Sequence, residues 1–156
     1  MSSPTPIDSS RRLFLALWPE EAERRQMVEL AASVAGQRRV RDANLHLTLV
    51  FLGATDAVRL ASYEAALAGL PVPMLDLILD RYGYWPAPRI LWLGSSRTPP
   101  ELYELVADLH RRLRACAFTP NGGRFKPILP WHASFPARRR LSRLSHRFAG
   151  GSAQWR

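Results

Sequence analysis

Hydrophobic and polar positions follow two different periods along this chain, and each change of period marks a predicted element. Apolar or alternating runs bounded by glycine and proline predict strands at residues 12–18, 45–52, 74–82 and 89–94, with a turn at 84–88. Longer segments that start at proline or aspartate predict helices at about 19–35, 56–70 and 100–117. This order of elements predicts a mixed α+β domain made of two similar halves.

The second predicted strand carries a histidine and a hydroxyl on the same face. Side chains alternate in a strand, so four apolar residues are expected to point into a core: Leu45, Leu47, Leu49 and Phe51. His46, Thr48 and Val50 then point the other way, with His46 and Thr48 about 7 Å apart. A histidine there can exchange a proton near neutral pH, and a threonine can donate a hydrogen bond to a phosphoryl oxygen. A half-exposed strand without a function is the alternative, because His-x-Thr is common by chance.

Length and composition favour one globular domain. The chain has 156 residues, 47% hydrophobic and 22% charged, and no apolar run of the roughly 20 residues that cross a bilayer. The N-terminal segment lacks the apolar core of a signal peptide. Cys116 is the only cysteine, which fits a reducing compartment, and we expect it to pack rather than to react. We therefore expect a cytoplasmic protein with no membrane partner.

The net charge of +9 suggests a polyanionic partner such as RNA, but this charge is concentrated at one end. Residues 124–156 hold eight basic side chains and no acidic ones, whereas the other 123 residues carry 14 basic and 13 acidic side chains. We expect residues 1–10 to be disordered, residues 11–135 to form a single domain, and residues 136–156 to form a basic tail without a strand pattern. His110 is expected to be a solvated helix residue, and His146 to lie outside any site.

Several segments, taken in order, resemble a known family. RLFLALWP, DANLHLTLVFLG and RILWLG, with the helix that follows, resemble the bacterial RNA 2′,3′-cyclic phosphodiesterases, also called 2′-5′ RNA ligases, of the 2H phosphoesterase superfamily. The resemblance covers about residues 11–127. It implies a two-lobed α+β fold in which antiparallel sheets line a central cleft and helices lie outside.

The resemblance also implies an activity and a substrate. The activity is metal-independent hydrolysis of RNA 2′,3′-cyclic phosphate termini to 2′-phosphates, with 2′-5′ RNA ligation as a further reaction and no cofactor. The partner is RNA with a cyclic phosphate end, such as a tRNA-like fragment, and we expect a monomer.

In this family, one His-x-[Ser/Thr] motif from each lobe faces the cleft, and the two histidines act as acid and base. The resemblance makes His46 the acid and Thr48 a phosphate-binding residue, although acid and base stay interchangeable at this point. His132 and Ser134 are the candidates for the second motif. They come four residues later than the family pattern F-x-P-H-[hydrophobic]-T-L-A-R, and Pro130 suits a central strand poorly.

A change of reading frame explains the displaced second motif. When residues 128–136 are read back into codons and the frame is moved one base upstream, the permitted codons spell His-Leu-Thr-Leu-Ala-Arg-Lys-Phe-Pro directly after Pro127. The alanine is forced, because tryptophan followed by histidine always spells GCA across the codon boundary. We therefore hypothesise that residues from about 128 to 156 are translated out of frame. The second lobe would then be incomplete, and His132 would result from the changed reading frame rather than be the catalytic histidine.

Other functions stay open for these residues. A 2H phosphodiesterase that acts on a small cyclic nucleotide or on ADP-ribose cyclic phosphate needs the same motif. A non-catalytic RNA-binding module and an inactive frameshifted product belong to different classes. Phe14, Tyr84 and Trp85 could stack a base, although core packing is the ordinary alternative. Arg81 and Arg89 could meet phosphates, although solvated strand ends are the ordinary case.

Overall fold

The computed structural model describes residues 10–35, 45–87, 90–133, 146–149 and 153–155. Three helices lie in these ranges: α1 (Glu21–Ala35), α2 (Ala57–Leu67) and α3 (Pro100–Arg114). The strands are β1 (Arg11–Leu17), β2 (Leu47–Thr55), β3 (Asp76–Leu79), β4 (Arg81–Trp85), β5 (Ile90–Gly94), β6 (Ile128–Ala133), β7 (His146–Ala149) and β8 (Ala153–Trp155). The order confirms the predicted mixed α+β class.

The strands form antiparallel sheets, and the two larger ones carry the candidate site. One sheet has the order β2-β1-β8, another has the order β4-β5-β6, and β3 pairs with β7 in a two-stranded ribbon. Within the described ranges, β2 and β6 are edge strands of their sheets, and they lie next to each other. The expected arrangement of antiparallel sheets with helices packed on them is therefore confirmed.

A leucine-rich core joins the sheets to the helices. The apolar stripe of α3 is buried as its helical spacing predicts, and it consists of Leu102, Leu105, Val106, Leu109 and Leu113. It packs in one cluster with Leu47 of β2 and Leu93 of β5. Each such leucine contributes about 1.5–3 kcal/mol when it is fully buried. This cluster fixes the positions of the strands that carry the site.

Local backbone chemistry sets the ends of α2 and α3. The Asp56 carboxylate accepts a hydrogen bond from the Arg59 amide at 2.7 Å, which confirms the predicted N-cap. The helix ends at Leu67, three residues before the predicted end, and Gly69 follows with a φ of +69°. Helix α3 ends at Arg114, also three residues before its predicted end, and Ala117 beyond it has a φ of +58°.

The predicted strand at 74–82 is wrong in one respect, because the structure divides it into β3 and β4 at Asp80. The Asp80 carboxylate accepts hydrogen bonds from the Ser96 amide at 2.6 Å and from the Ser96 hydroxyl. The segments on either side of Asp80 pair in different sheets, β3 with β7 and β4 with β5. The predicted turn at 84–88 also begins later than expected, since Tyr84 and Trp85 pair with β5 and turn residues start at 86.

The C-terminal segment contributes strands that its sequence pattern did not predict. Strand β7 pairs with β3, and β8 pairs with the first strand of the chain. The expected tail at 136–156 therefore includes paired backbone, although the rest of that segment lies outside the described residues. None of the helices within the described ranges is both long and apolar enough to cross a membrane.

Candidate active site

His46 lies immediately before β2, against two aromatic rings from the neighbouring strand β1 and the residue after it. The Phe14 ring stacks on the imidazole with centroids 4.7 Å apart and an interplanar angle of 16°. The Trp18 ring lies 5.2 Å away at 37°. Nδ1 of His46 is buried, and no hydrogen-bond partner for it lies among the residues that the structure describes. Burial among these groups lowers the pKa of His46 below its ordinary value, because desolvation penalises the imidazolium.

The predicted alternation holds for the first half of the second strand and fails after it. Leu47 is 1% exposed, while His46 and Thr48 on either side of it are half-buried, as predicted. Val50 is buried instead of sharing their face, and Phe51 is 66% exposed instead of entering the core.

A β-bulge explains this correction. Thr48 pairs with Ala16 of β1, but Val50 pairs with the adjacent Leu15, so Leu49 is an extra residue on β2. One extra residue reverses the side-chain alternation beyond it. A second register shift follows between the pairs Phe14↔Phe51 and Leu13↔Gly53. The faces of β2 therefore change within the strand that carries the motif.

Thr48 lines an open cavity of about 370 Å³ at the edge of β2. The far side of the cavity is the segment that leads from α3 into β6, and it includes Arg124, Phe125 and Lys126. Lys126 comes two residues before β6 begins, so the start of β6 lies near the Thr48 end of the motif.

The second motif is only partly within the described residues. The backbone of His132 belongs to β6 and pairs with Leu91, whereas Ser134 lies outside the described residues. Pro130 lies within β6, which the structure tolerates because β6 is an edge strand that pairs with β5 alone among the described strands.

Positions 128 and 130 repeat the burial pattern of the first motif. Ile128 and Pro130 are half-buried and flank Leu129, which is fully buried. His46 and Thr48 flank the buried Leu47 in the same way. Ile128 and Pro130 pair with Gly94 and Trp92 of β5, so the structure puts two partly accessible positions on one face of β6.

The remaining sequence candidates separate into different environments. Trp85 lies 6.2 Å from Trp92, ring centroid to ring centroid, and Tyr84 packs against the core. Arg81 is exposed at the start of β4, and Arg89 lies outside the described residues. The sequence did not indicate that Trp18 packs on His46, because Trp18 follows β1 and its contact depends on the pairing of β1 with β2.

Two other predicted residues have defined surroundings. Cys116 follows α3, and its Sγ donates to the Ser62 carbonyl at 3.3 Å, in keeping with the packing role expected for it. His110 is half-buried rather than fully solvated, and its ring lies 6.4 Å from that of Phe118. Burial and then the charge of Arg114 lower the pKa of His110.

The fold defines an α+β protein whose two larger antiparallel sheets meet beside the His-x-Thr strand, and comparison with known proteins identifies the family. The sequence model of the family described as "LigT like Phosphoesterase" matches residues 17–92. The RNA 2′,3′-cyclic phosphodiesterase of Escherichia coli strain K12 is 32% identical over 130 residues, covering 81% of this chain and 70% of that protein. The RNA 2′,3′-cyclic phosphodiesterase of Archaeoglobus fulgidus is 27% identical over 113 residues, covering 69% of this chain and 64% of that protein.

Solved structures give the same fold. The crystal structure of E. coli LigT in apo form matches with a TM-score of 0.77 and 23% identity, covering 94% of both chains. The crystal structure of a Thermus thermophilus protein, TT0787, matches with a TM-score of 0.64 and 24% identity, covering 92% of this chain and 84% of that one. The chain therefore belongs to the LigT-like phosphoesterase family, a family of hydrolases, which confirms the resemblance found in its sequence.

Proposed function

We propose that this chain carries the catalytic chemistry of an RNA 2′,3′-cyclic phosphodiesterase, and that His46 and Thr48 form one half of its site. The observation that carries the proposal is the placement of His46 against Phe14 and Trp18, with Thr48 half-buried two residues further along the strand. The names of the E. coli and A. fulgidus relatives support the choice of an RNA cyclic phosphate as substrate.

The proposed reaction opens the cyclic phosphate by addition of water. A water oxygen attacks phosphorus, the bond from phosphorus to O3′ breaks, and a proton moves to O3′, which leaves a 2′-phosphate. We assign proton delivery to Nε2 of His46, because Nδ1 is buried. Burial makes the His46 imidazolium a stronger acid, which suits proton delivery. The Thr48 hydroxyl would donate a hydrogen bond to a phosphoryl oxygen and stabilise its developing charge.

The second half-site has two candidate pairs of positions: 128 and 130 on β6, or His132 on β6 together with Ser134. If the chain is in frame, His132 and Ser134 supply the base and the second hydroxyl. If the frame changes at about residue 128, positions 128 and 130 are the places where the histidine and threonine belong. The repeated burial pattern around Leu129 and the shared cavity of Lys126 and Thr48 favour positions 128 and 130.

The test is hydrolysis of a 2′,3′-cyclic nucleotide and of a short RNA that ends in a 2′,3′-cyclic phosphate, with phosphate position followed by chromatography. We expect a 2′-phosphate product in the presence of EDTA, and a loss of kcat of about 10²–10⁴-fold in His46→Ala, as for removal of a general acid. His146→Ala is the matched control and should keep the activity of the unmodified chain.

Different outcomes separate this proposal from its alternatives. Turnover of the free cyclic nucleotide without turnover of the RNA would indicate a phosphodiesterase for a small cyclic substrate. RNA binding that His46→Ala leaves unchanged, with no turnover of either substrate, would indicate a binding module. Incubation of an RNA that ends in a 2′,3′-cyclic phosphate with an RNA bearing a free 5′-hydroxyl tests for 2′-5′ ligation. In that reaction the 5′-hydroxyl attacks phosphorus in place of water, and the bond from phosphorus to O3′ breaks.

A further inference from the structure

The cavity beside Thr48, which we call the Phe51 cavity, extends from the proposed phosphate site along the edge of β2. It reaches from Thr48 to Phe51, three residues further on and up to about 10 Å away along a strand. Its volume of about 370 Å³ lies at the small end of ligand sites, which run from about 300 to 1,000 Å³. A molecule whose phosphate is held at Thr48 would therefore extend into this cavity.

One wall of the Phe51 cavity presents aromatic surface to solvent. The β-bulge at Leu49 turns the Phe51 side chain outward, so that it is 66% exposed although Leu49, Val50 and Leu52 beside it are buried. Phe125 lies on the opposite side, where it packs edge-on against Tyr103 at 6.1 Å. An exposed aromatic ring beside a phosphate site is the arrangement on which single-stranded nucleic acids stack their bases.

The opposite wall is positively charged. Arg124 and Lys126 line the cavity and are exposed, and neither forms an ion pair with a described residue. Among the described residues that line the cavity there is no aspartate or glutamate. These two cations are therefore available to a ligand that carries negative charge along its length.

We propose that the Phe51 cavity holds the nucleotide on the 5′ side of the cyclic-phosphate nucleotide, which makes an RNA end of two or more nucleotides the substrate class. The base of that nucleotide stacks on Phe51, and the phosphodiester that joins the two nucleotides lies near Lys126 and Arg124. This inference rests on the proposed function, because Thr48 must hold the terminal phosphate.

The experiment compares two ligands that the enzyme does not turn over, adenosine 2′-phosphate and the dinucleotide ApA carrying a 2′-phosphate at its 3′ end. We expect calorimetry to show the dinucleotide binding about ten-fold more tightly, which is within the range for one stacked base. Phe51→Ala and Lys126→Ala should each remove most of this advantage and leave the affinity for adenosine 2′-phosphate unchanged. Lys126→Ala should also make dinucleotide binding less sensitive to salt, because it removes a contact between unlike charges that salt screens.

Two substitutions outside the cavity serve as controls. Val58→Ala removes an exposed apolar side chain on α2, and Arg97→Ala removes a cation that does not line the cavity, so neither should change dinucleotide affinity. Equal affinity of the unmodified chain for both ligands would overturn the inference, as would equal losses for both ligands in Phe51→Ala. If cyclic nucleotides are hydrolysed in either case, the proposed function stands without this subsite. Binding of neither ligand, with no hydrolysis, would overturn both proposals.

Discussion

At the residue scale, the surroundings of His46 matter as much as its place in the motif. Phe14 and Trp18 exclude water from the imidazole and lower the pKa of His46. A lowered pKa leaves the ring neutral at pH 7 and makes the small protonated fraction more acidic. If His46 delivers the proton, activity should decline as pH rises through a value below about 6.5, the ordinary pKa of histidine.

We predict that Phe14→Ala raises the pKa of His46 toward its ordinary value. The smaller side chain admits water to the ring, and hydration stabilises the imidazolium. The His46 Cε1 proton should titrate at higher pH in an NMR experiment, and the limb of the pH–rate profile due to His46 should move in the same direction. Phe14→Leu, which keeps an apolar side chain over the ring, is the control and should change the titration less. An unchanged pKa in Phe14→Ala would show that the ring contact does not set it.

At the element scale, β2 shows where the alternation of side chains along a strand no longer predicts which residues are buried. The sequence predicted correctly that His46 and Thr48 share the half-buried face opposite Leu45 and Leu47, because neighbouring side chains of a strand point to opposite faces. It predicted the faces of Val50 and Phe51 incorrectly, because a bulge depends on how β1 pairs with β2. The pattern of apolar residues in one strand does not indicate whether that strand has an extra, bulged residue relative to its partner.

Close packing between β4 and β5 gives a second prediction at this scale. A Cβ atom added at Gly83 would overlap the ring of Trp92, the residue that pairs with Gly83 on the neighbouring strand β5. Gly83→Ala should therefore lower the free energy of unfolding by about 1–3 kcal/mol, the usual cost of overpacking. Urea denaturation measures this change. Gly122→Ala, whose added Cβ meets no atom within 4 Å, is the control and should have a much smaller effect.

Removing the Trp92 indole tests the cause of that effect. In a Trp92→Ala background the overlap is absent, so Gly83→Ala should lower the free energy of unfolding clearly less than it does with Trp92 present. If Gly83→Ala lowers the free energy of unfolding equally in both backgrounds, the cause is the backbone conformation at Gly83 rather than its contact with the indole.

At the scale of the whole molecule, completion of the site depends on which residues stand at positions 128 and 130 of β6. We predict that the coding DNA around Pro127 yields His-x-Thr after a one-base shift, which sequencing of the codons for residues 124–135 tests directly. In the protein, Ile128→His combined with Pro130→Thr should raise cyclic phosphate hydrolysis by about 10²–10⁴-fold, as for addition of a missing general base.

Two controls make this result specific. Ile128→Ala with Pro130→Thr introduces the threonine without the histidine, and should leave activity at its starting level. A large loss of activity in His132→Ala of the unmodified chain would contradict the frame hypothesis and make His132 the second histidine.

The sequence by itself determined the α+β class, most element positions, the family and the outward face of His46 and Thr48. Local chemistry is sufficient for these structural features, because strand alternation, helical spacing and the Asp56 cap act between near neighbours in the chain. Only the tertiary structure decided the pairing of β7 and β8, the division at Asp80, the outward turn of Phe51 and the packing of Trp18 on His46. Each of these depends on a contact between segments distant in sequence. The hydrophobic pattern within one β-strand or helix does not determine which other segment it contacts.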